Sequence, residues 1–143
     1  MSTHCFVDTS HAGDKLTRRS MTGILMFVNR APIIWHSKRQ NCVETLTLGS
    51  EFKAMKNAVE LIEALRYKLR MFGVPVDGPT YMFCDNEAVY KNASTPESHL
   101  KKKHHSIYYL MSQEAVDSGA CSIVKGDTET NLADLFTNDL TRV

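Results

Sequence analysis

A change of periodicity near residue 47 constrains the fold more than any other feature of the chain. Before it, His4 to Val7, Met21 to Val28 and Ile33 to Ser37 are short apolar runs bounded by turn-forming residues, the pattern of β-strands. Asn29-Arg30-Ala31-Pro32 separates the second run from the third and reads as a short hairpin connection. From Thr47 onward, Phe52, Met55, Val59, Ile62, Leu65, Leu69 and Phe72 recur at intervals of three and four, and Gly73 and Pro75 close the run. A long amphipathic helix therefore follows three sequential strands.

The remaining sequence alternates between the two patterns. Thr80 to Cys84 reads as a fourth strand, Asp85-Asn86 as the start of a short helix through Tyr90, and Asn92 to Ser98 as a polar loop. A second helical pattern runs from about Lys102 to Asp117 and ends at Ser118-Gly119. Cys121 to Val124 would be the fifth strand, and Thr130 the cap of a last helix through Phe136. This order predicts an α/β class: a five-stranded mixed sheet, antiparallel in its first three strands, extended by parallel strands through right-handed helical crossovers.

The 143 residues suit a single domain spanning 1–143, and a formal net charge of +1 provides no general attraction to nucleic acid, so any such surface must be local. Cys5, Cys42, Cys84 and Cys121 have no metal-ligand spacing and fall in or beside apparent strands, which predicts reduced, buried thiols in an intracellular protein. No apolar run reaches the ~18 residues of a membrane span, and the N-terminus lacks a signal-peptide pattern.

Four acids sit where side chains should point inward. Asp8 ends the first apolar run and Asp85 follows the fourth strand. Asp134 lies in the amphipathic segment Asn131 to Phe136, and Glu51 shares the apolar stripe of the long helix with Met55, Ala58, Ile62 and Leu65. The charged residues Lys53, Lys56, Glu60, Glu63 and Lys68 mostly occupy the opposite face. Each acid alone reads as a cap or a partly exposed side chain; their concerted placement does not. Desolvating a carboxylate costs several kcal/mol unless a cation compensates it. Carboxylates without a His or Cys cluster select hard cations such as Mg2+ or Mn2+, and two such ions about 4 Å apart serve phosphodiester cleavage. The residues thus point to metal-dependent phosphoryl transfer.

The sequence resembles the ribonuclease H domain at the end of the polyprotein of copia-type (pseudoviral) LTR retrotransposons. Asp8 to Asp14, Arg18 to Gly23, Pro32 to Gln40 and Ser50 to Ala54 carry the resemblance, with Cys84-Asp85-Asn86, Lys103-His104 and Asn131 to Thr137. It implies a ribonuclease H-like fold with Asp8, Glu51, Asp85 and Asp134 as the acidic tetrad holding two Mg2+ ions, Mn2+ being an alternative. It also implies cleavage of the RNA strand of RNA/DNA hybrids, a reverse transcriptase domain as partner in the full polyprotein, and an intracellular setting in cytoplasmic virus-like particles or the nucleus.

Two features depart from related enzymes or leave two readings open. Many cellular ribonucleases H carry a histidine in the loop after the fifth strand, where Val124-Lys125-Gly126 here leads to Asp127, which reads best as a loop acid. The cluster Lys101-Lys102-Lys103-His104-His105 suits phosphate contacts and equally suits a solvated helix start. Lys38 and Gln40 are further backbone-contact candidates, with Arg18, Arg19 and Arg39. Ser10 and Asn86 adjoin tetrad acids and could hydrogen-bond 2′-hydroxyls. Trp35 ends an apolar run and is expected in the core. The rival to a nuclease is a catalytically silent nucleic-acid-binding remnant or the tether domain of a reverse transcriptase.

Overall fold

Alternation of buried and open positions along each strand builds the sheet. The computed structural model describes residues 1–10, 16–41, 47–85 and 103–137. The strands are β1 (Thr3–Ser10), β2 (Met21–Val28), β3 (Ala31–Arg39), β4 (Thr80–Cys84) and β5 (Cys121–Lys125). They form one sheet in the order β3-β2-β1-β4-β5. β1 pairs antiparallel with β2 and β2 with β3, whereas β4 pairs parallel with β1 and β5 parallel with β4. The mixed sheet expected from the order of periodicities is therefore the one formed.

Helices α1 (Thr47–Met71) and α2 (Lys103–Asp117) pack together, and the core lies between this layer and the sheet. Cys5 pairs with Met26 on one side and Met82 on the other, and Met26 with Ile34, giving one continuous inward row across four strands. From α1, Phe52, Met55, Val59 and Ile62 join that row in the core. Both helices end as their glycines predict. Gly73 and Gly119 adopt positive φ, and the residue after each bonds back five positions, Val74 N to Leu69 O and Ala120 N to Ala115 O.

The same alternation explains a departure at Trp35. Ile34 points toward the core, so its neighbour must point to the other side of the sheet, and Trp35 is 65% exposed rather than buried. The outward row in register with it is Trp35, Leu25, Phe6, Phe83 and Val124. Phe6 stacks on Phe83 at 4.9 Å between ring centroids.

The end of the chain also differs from expectation. In place of one helix capped by Thr130, two 3-10 turns form, Thr128–Thr130 and Leu132–Phe136, with Asn131 between them. Asn131 takes the cap role because its Oδ1 accepts from Ala133 N at 3.0 Å, while Thr130 Oγ1 donates to Asp127 O. The short helix expected through Tyr90, the loop at 92–98 and Cys42 lie outside the described residues. Cys5, Cys84 and Cys121 are buried and outside any disulfide, as expected, and burial pushes the Cys121 thiol up to about 11. No helix among the described residues is long and apolar enough to cross a membrane.

The two faces of the sheet respond differently to truncation. Ile24→Ala, at a fully enclosed position, is expected to lose about 2–5 kcal/mol of unfolding free energy. Trp35→Ala, although it removes more atoms, is expected to lose less than about 1 kcal/mol because most of the ring is already in water. Urea unfolding of both variants checks this, and an equal or greater loss at Trp35 contradicts the assignment of faces.

Candidate metal centre

Parallel pairing of β1 with β4 brings two carboxylates together. Val7 is opposite Cys84, so Asp8 and Asp85, the next residue on each chain, emerge side by side at matching carboxyl ends. Glu51 reaches the same point from the start of α1, where it is 7% exposed between the buried Ser50 and Phe52. One carboxylate oxygen from each of Asp8, Glu51 and Asp85 lies within 4.8 Å of the others. These residues come from segments more than 30 positions apart, so only the folded chain makes the cluster.

Asp134 stands beside this trio: its side chain shares a hydrogen bond with Asp8 and its charge acts on Asp85. The turn that carries it is fastened to β1 and β2 by contacts the sequence did not announce. Asn131 Nδ2 donates to Val7 O at 2.9 Å, one residue before Asp8. The Thr137 hydroxyl lies 2.9 Å from Asp8 Oδ2 and 3.0 Å from Asp134 O, so its single proton ties the two acid-bearing segments together. Gly23, opposite Asp8 in the ladder, lets the turn approach: a Cβ there would stand 2.7 Å from the Ala133 carbonyl oxygen and 2.9 Å from Thr137 Cγ2. Asn131, Thr137 and Gly23 lie inside the quoted motif segments, but local spacing does not reveal their roles, because each acts on a partner distant in sequence.

Crowding acids in a low-polarity place makes their charged forms unfavourable. Burial, chiefly, raises the Asp8 carboxyl to about 6. The Thr137 hydrogen bond opposes the rise, the Asp85 charge adds to it, the Thr9 backbone bond opposes it, and the Asp134 side chain adds to it. Asp85 is also raised, first by burial, against a bond from its own backbone and with the help of the Asp134 charge. An all-oxygen donor set whose charges are destabilised in this way fits a hard divalent cation, which would offset both the desolvation and the mutual repulsion.

The other candidates divide. Ser10, next to the cluster on β1, has a buried Oγ with no hydrogen-bond partner among the described residues. Lys38 is exposed near the end of β3. Gln40 departs from its expected role as a phosphate contact: it is 4% exposed, and its Nε2 donates to Thr22 Oγ1 and Ser50 O, both at 3.0 Å. It turns inward because the chain leaving β3 packs against α1. Asp127 is exposed and outside the carboxylate cluster. Lys103 and His104 open α2, their side chains lying outside the described residues, as do Asn86, Lys101 and Lys102.

The raised carboxyls set a pH dependence for the metal-free protein. Asp8 titrates near 6 in the fold and near ~3.9 when unfolded, so the folded form holds a proton more tightly. Its stabilising contribution is complete below about pH 4 and is lost as pH rises through about 6. In chelator, the wild-type protein should therefore lose Tm across this window, and Asp8→Asn should flatten the loss. Thermal unfolding from pH 4 to 7.5 tests this; a pH profile unchanged by the substitution contradicts it.

The chain resembles known proteins in sequence and in fold. No protein-family model matches the chain. It is 30% identical over 142 residues to the retrovirus-related Pol polyprotein from transposon RE1 of Arabidopsis thaliana, covering 99% of this chain and 10% of the relative. It is 29% identical over 143 residues to the corresponding RE2 polyprotein of the same plant, with 100% and 10% coverage. The chain thus spans about a tenth of the length of these relatives. Among solved structures, RNase H1 from Halobacterium salinarum NRC-1 matches with a TM-score of 0.68 at 15% identity over 96% of each chain. LC11-RNase H1, solved with an RNA/DNA hybrid, matches with a TM-score of 0.72 at 14% identity over 96% of this chain and 94% of its own. The foamy viral protease-reverse transcriptase, also solved with an RNA/DNA hybrid, gives 0.57 at 16% identity, over 95% of this chain and 19% of that one. The structural likenesses establish a ribonuclease H-like fold for the chain, and in sequence it is similar to a part of plant retrotransposon Pol polyproteins.

Proposed function

We propose that this domain is a divalent-cation-dependent endonuclease that cleaves the RNA strand of RNA/DNA hybrids during retrotransposon reverse transcription. The observation that carries the reading is the meeting of Asp8, Glu51 and Asp85 within 4.8 Å at the carboxyl ends of β1 and β4, the end of a parallel sheet where ligands bind. Asp8, Glu51, Asp85 and Asp134 would hold two Mg2+ ions, or Mn2+, which when bound supply Lewis acidity at the scissile phosphate and lower the pKa of the attacking water. The protein's own part is placement. The β1–β4 pairing sets the spacing of Asp8 and Asp85, and Asn131 and Thr137 hold the Asp134 turn against β1.

Ser10, two residues after Asp8 on β1, is assigned to a 2′-hydroxyl, the group that separates RNA from DNA; its buried hydroxyl, without a partner among the described residues, supports this once a substrate reaches it. Asn86, following Asp85 directly, is assigned the same task. Lys38 and the basic run Lys101, Lys102, Lys103 and His104 are assigned to backbone phosphates, which position a duplex without reading its sequence. The polyprotein relatives, and the fold match to one fifth of a protease-reverse transcriptase chain, support a reverse transcriptase domain as covalent neighbour.

Cleavage of a labelled RNA/DNA hybrid with Mg2+ or Mn2+, beside single-stranded RNA and duplex DNA, tests the proposal. Hybrid-restricted RNA cleavage is expected, and Asp85→Asn should lower it by at least about a hundredfold while the protein stays folded. Wild-type rates in Asp85→Asn, or no cleavage by a folded, cation-binding domain, would favour the silent tether instead.

A further inference from the structure

The end of the molecule remote from the carboxylates carries a groove that the proposed chemistry does not use. Glu63, Arg66, Tyr67 and Arg70 form one stripe of α1 at intervals of three and four, and the exit of α2 at Ser118 to Ala120 forms the facing wall. The space between them is about 240 Å³, room for one side chain and several waters at ~30 Å³ each. Arg66 is buried, and its Nη1 donates to Gly78 O at 2.9 Å and reaches Thr80 Oγ1 at 3.5 Å. Both bonds come from one nitrogen of a five-donor fork, so the guanidinium is fixed in place with donors to spare.

Charge and rim together describe an occupant. Burial, chiefly, and the neighbouring Arg70 charge lower the Arg66 guanidinium from its ordinary value, against the influence of the Cys121 thiol. Glu63 lines the same groove, so the two arginines outnumber the acid there. A carboxylate entering between guanidinium groups one turn apart would relieve their repulsion and accept charge-assisted bonds from both. Beside them the helix is apolar and open: Tyr67 and Met71, also one turn apart, are 64% and 71% exposed, and Phe72 follows at the helix end. Arginine, tyrosine and methionine at one exposed place have the composition of a protein contact.

Position favours a protein over the nucleic acid. Fifteen residues of α1 separate Glu51 from Arg66, a rise of about 22 Å, so a hybrid lying across the carboxyl ends of β1 and β4 has the length of the sheet between it and the groove. The entry to the fold is instead close by. Arg66 reaches Thr80, and Thr80 Oγ1 lies 2.6 Å from Thr3 Oγ1 at the start of β1. A domain joined ahead of β1 is tethered beside the groove. A short tether raises its local concentration to about the mM range, so a contact of this size forms without high intrinsic affinity.

We propose that this groove is the docking surface for a reverse transcriptase segment joined ahead of β1, which places an acidic side chain between Arg66 and Arg70 and apolar side chains on Tyr67 and Met71. The inference rests on the reading of a reverse transcriptase domain as covalent neighbour. Docking at this end holds the two domains in one orientation and leaves the carboxylate end open to substrate.

The test is amide hydrogen exchange over residues 66–74, in the protein joined to its reverse transcriptase and in this chain alone. Exchange in the joined protein should be slower by about tenfold or more. Arg70→Glu, at an exposed position, should return it to the rate of the chain alone, and Met71→Ser, which alters only the apolar rim, should do the same in large part. Lys68→Glu, exposed on the same turn but outside the groove, should leave the protection intact. Equal exchange in the joined protein and the chain alone overturns the docking surface while the covalent reading stands. An equal loss in Lys68→Glu overturns it by showing a general charge effect. Protection that requires added RNA/DNA hybrid, or that appears in the chain alone as its concentration rises, overturns it in favour of nucleic acid or a second copy. A parent reading frame in which no reverse transcriptase is joined to this domain overturns the docking surface and the covalent reading together.

Discussion

Convergence of Asp8, Glu51 and Asp85 on one poorly hydrated point is the constraint on which the site depends. A parallel strand pair, a helix N-terminal turn and, beside them, a 3-10 turn converge on one point, and each delivers a group that would rather be hydrated and distant from the others. Burial contributes most to the raised titration of Asp8 and Asp85. The fold tolerates this because the surrounding sheet and helices supply apolar packing independent of the site. The continuous row from Ile34 through Met26 and Cys5 to Met82 lies beneath the cluster and holds the strands in register.

Precision at the site comes from uncharged residues. Asn131 holds its own turn with one end of its amide and the β1 backbone with the other, and Thr137 shares one proton between the two acid-bearing segments. Gly23 contributes by lacking a side chain, which leaves room for the Ala133 carbonyl. Such groups add little charge but fix where charge sits, which is what a metal centre requires of its surroundings.

Periodicity made most of this architecture legible. The five strands and both described helices follow from alternation and from three- and four-residue spacing, and the helix ends from Gly73 and Gly119. The acids could be nominated because each interrupts an apolar pattern. What escaped depends on pairs remote in sequence. Trp35 looked like core until the register showed which face Ile34 had taken. Gln40 looked like a surface amide because its partners, Thr22 and Ser50, lie on other elements. The last helix became two 3-10 turns because Asn131, fastened to Val7, replaces Thr130 as cap.

The most direct measurement on the central claim is calorimetric titration of Mg2+ and Mn2+ into the protein near pH 6, in two buffers of different ionisation enthalpy. A cluster built to hold cations, with Asp8 titrating at about 6, should bind them saturably and release protons as the acid ionises, with both signals weakened by Asp8→Asn. Saturable binding without proton release, or the same binding in Asp8→Asn, would contradict the assignment of these carboxylates as the cation site.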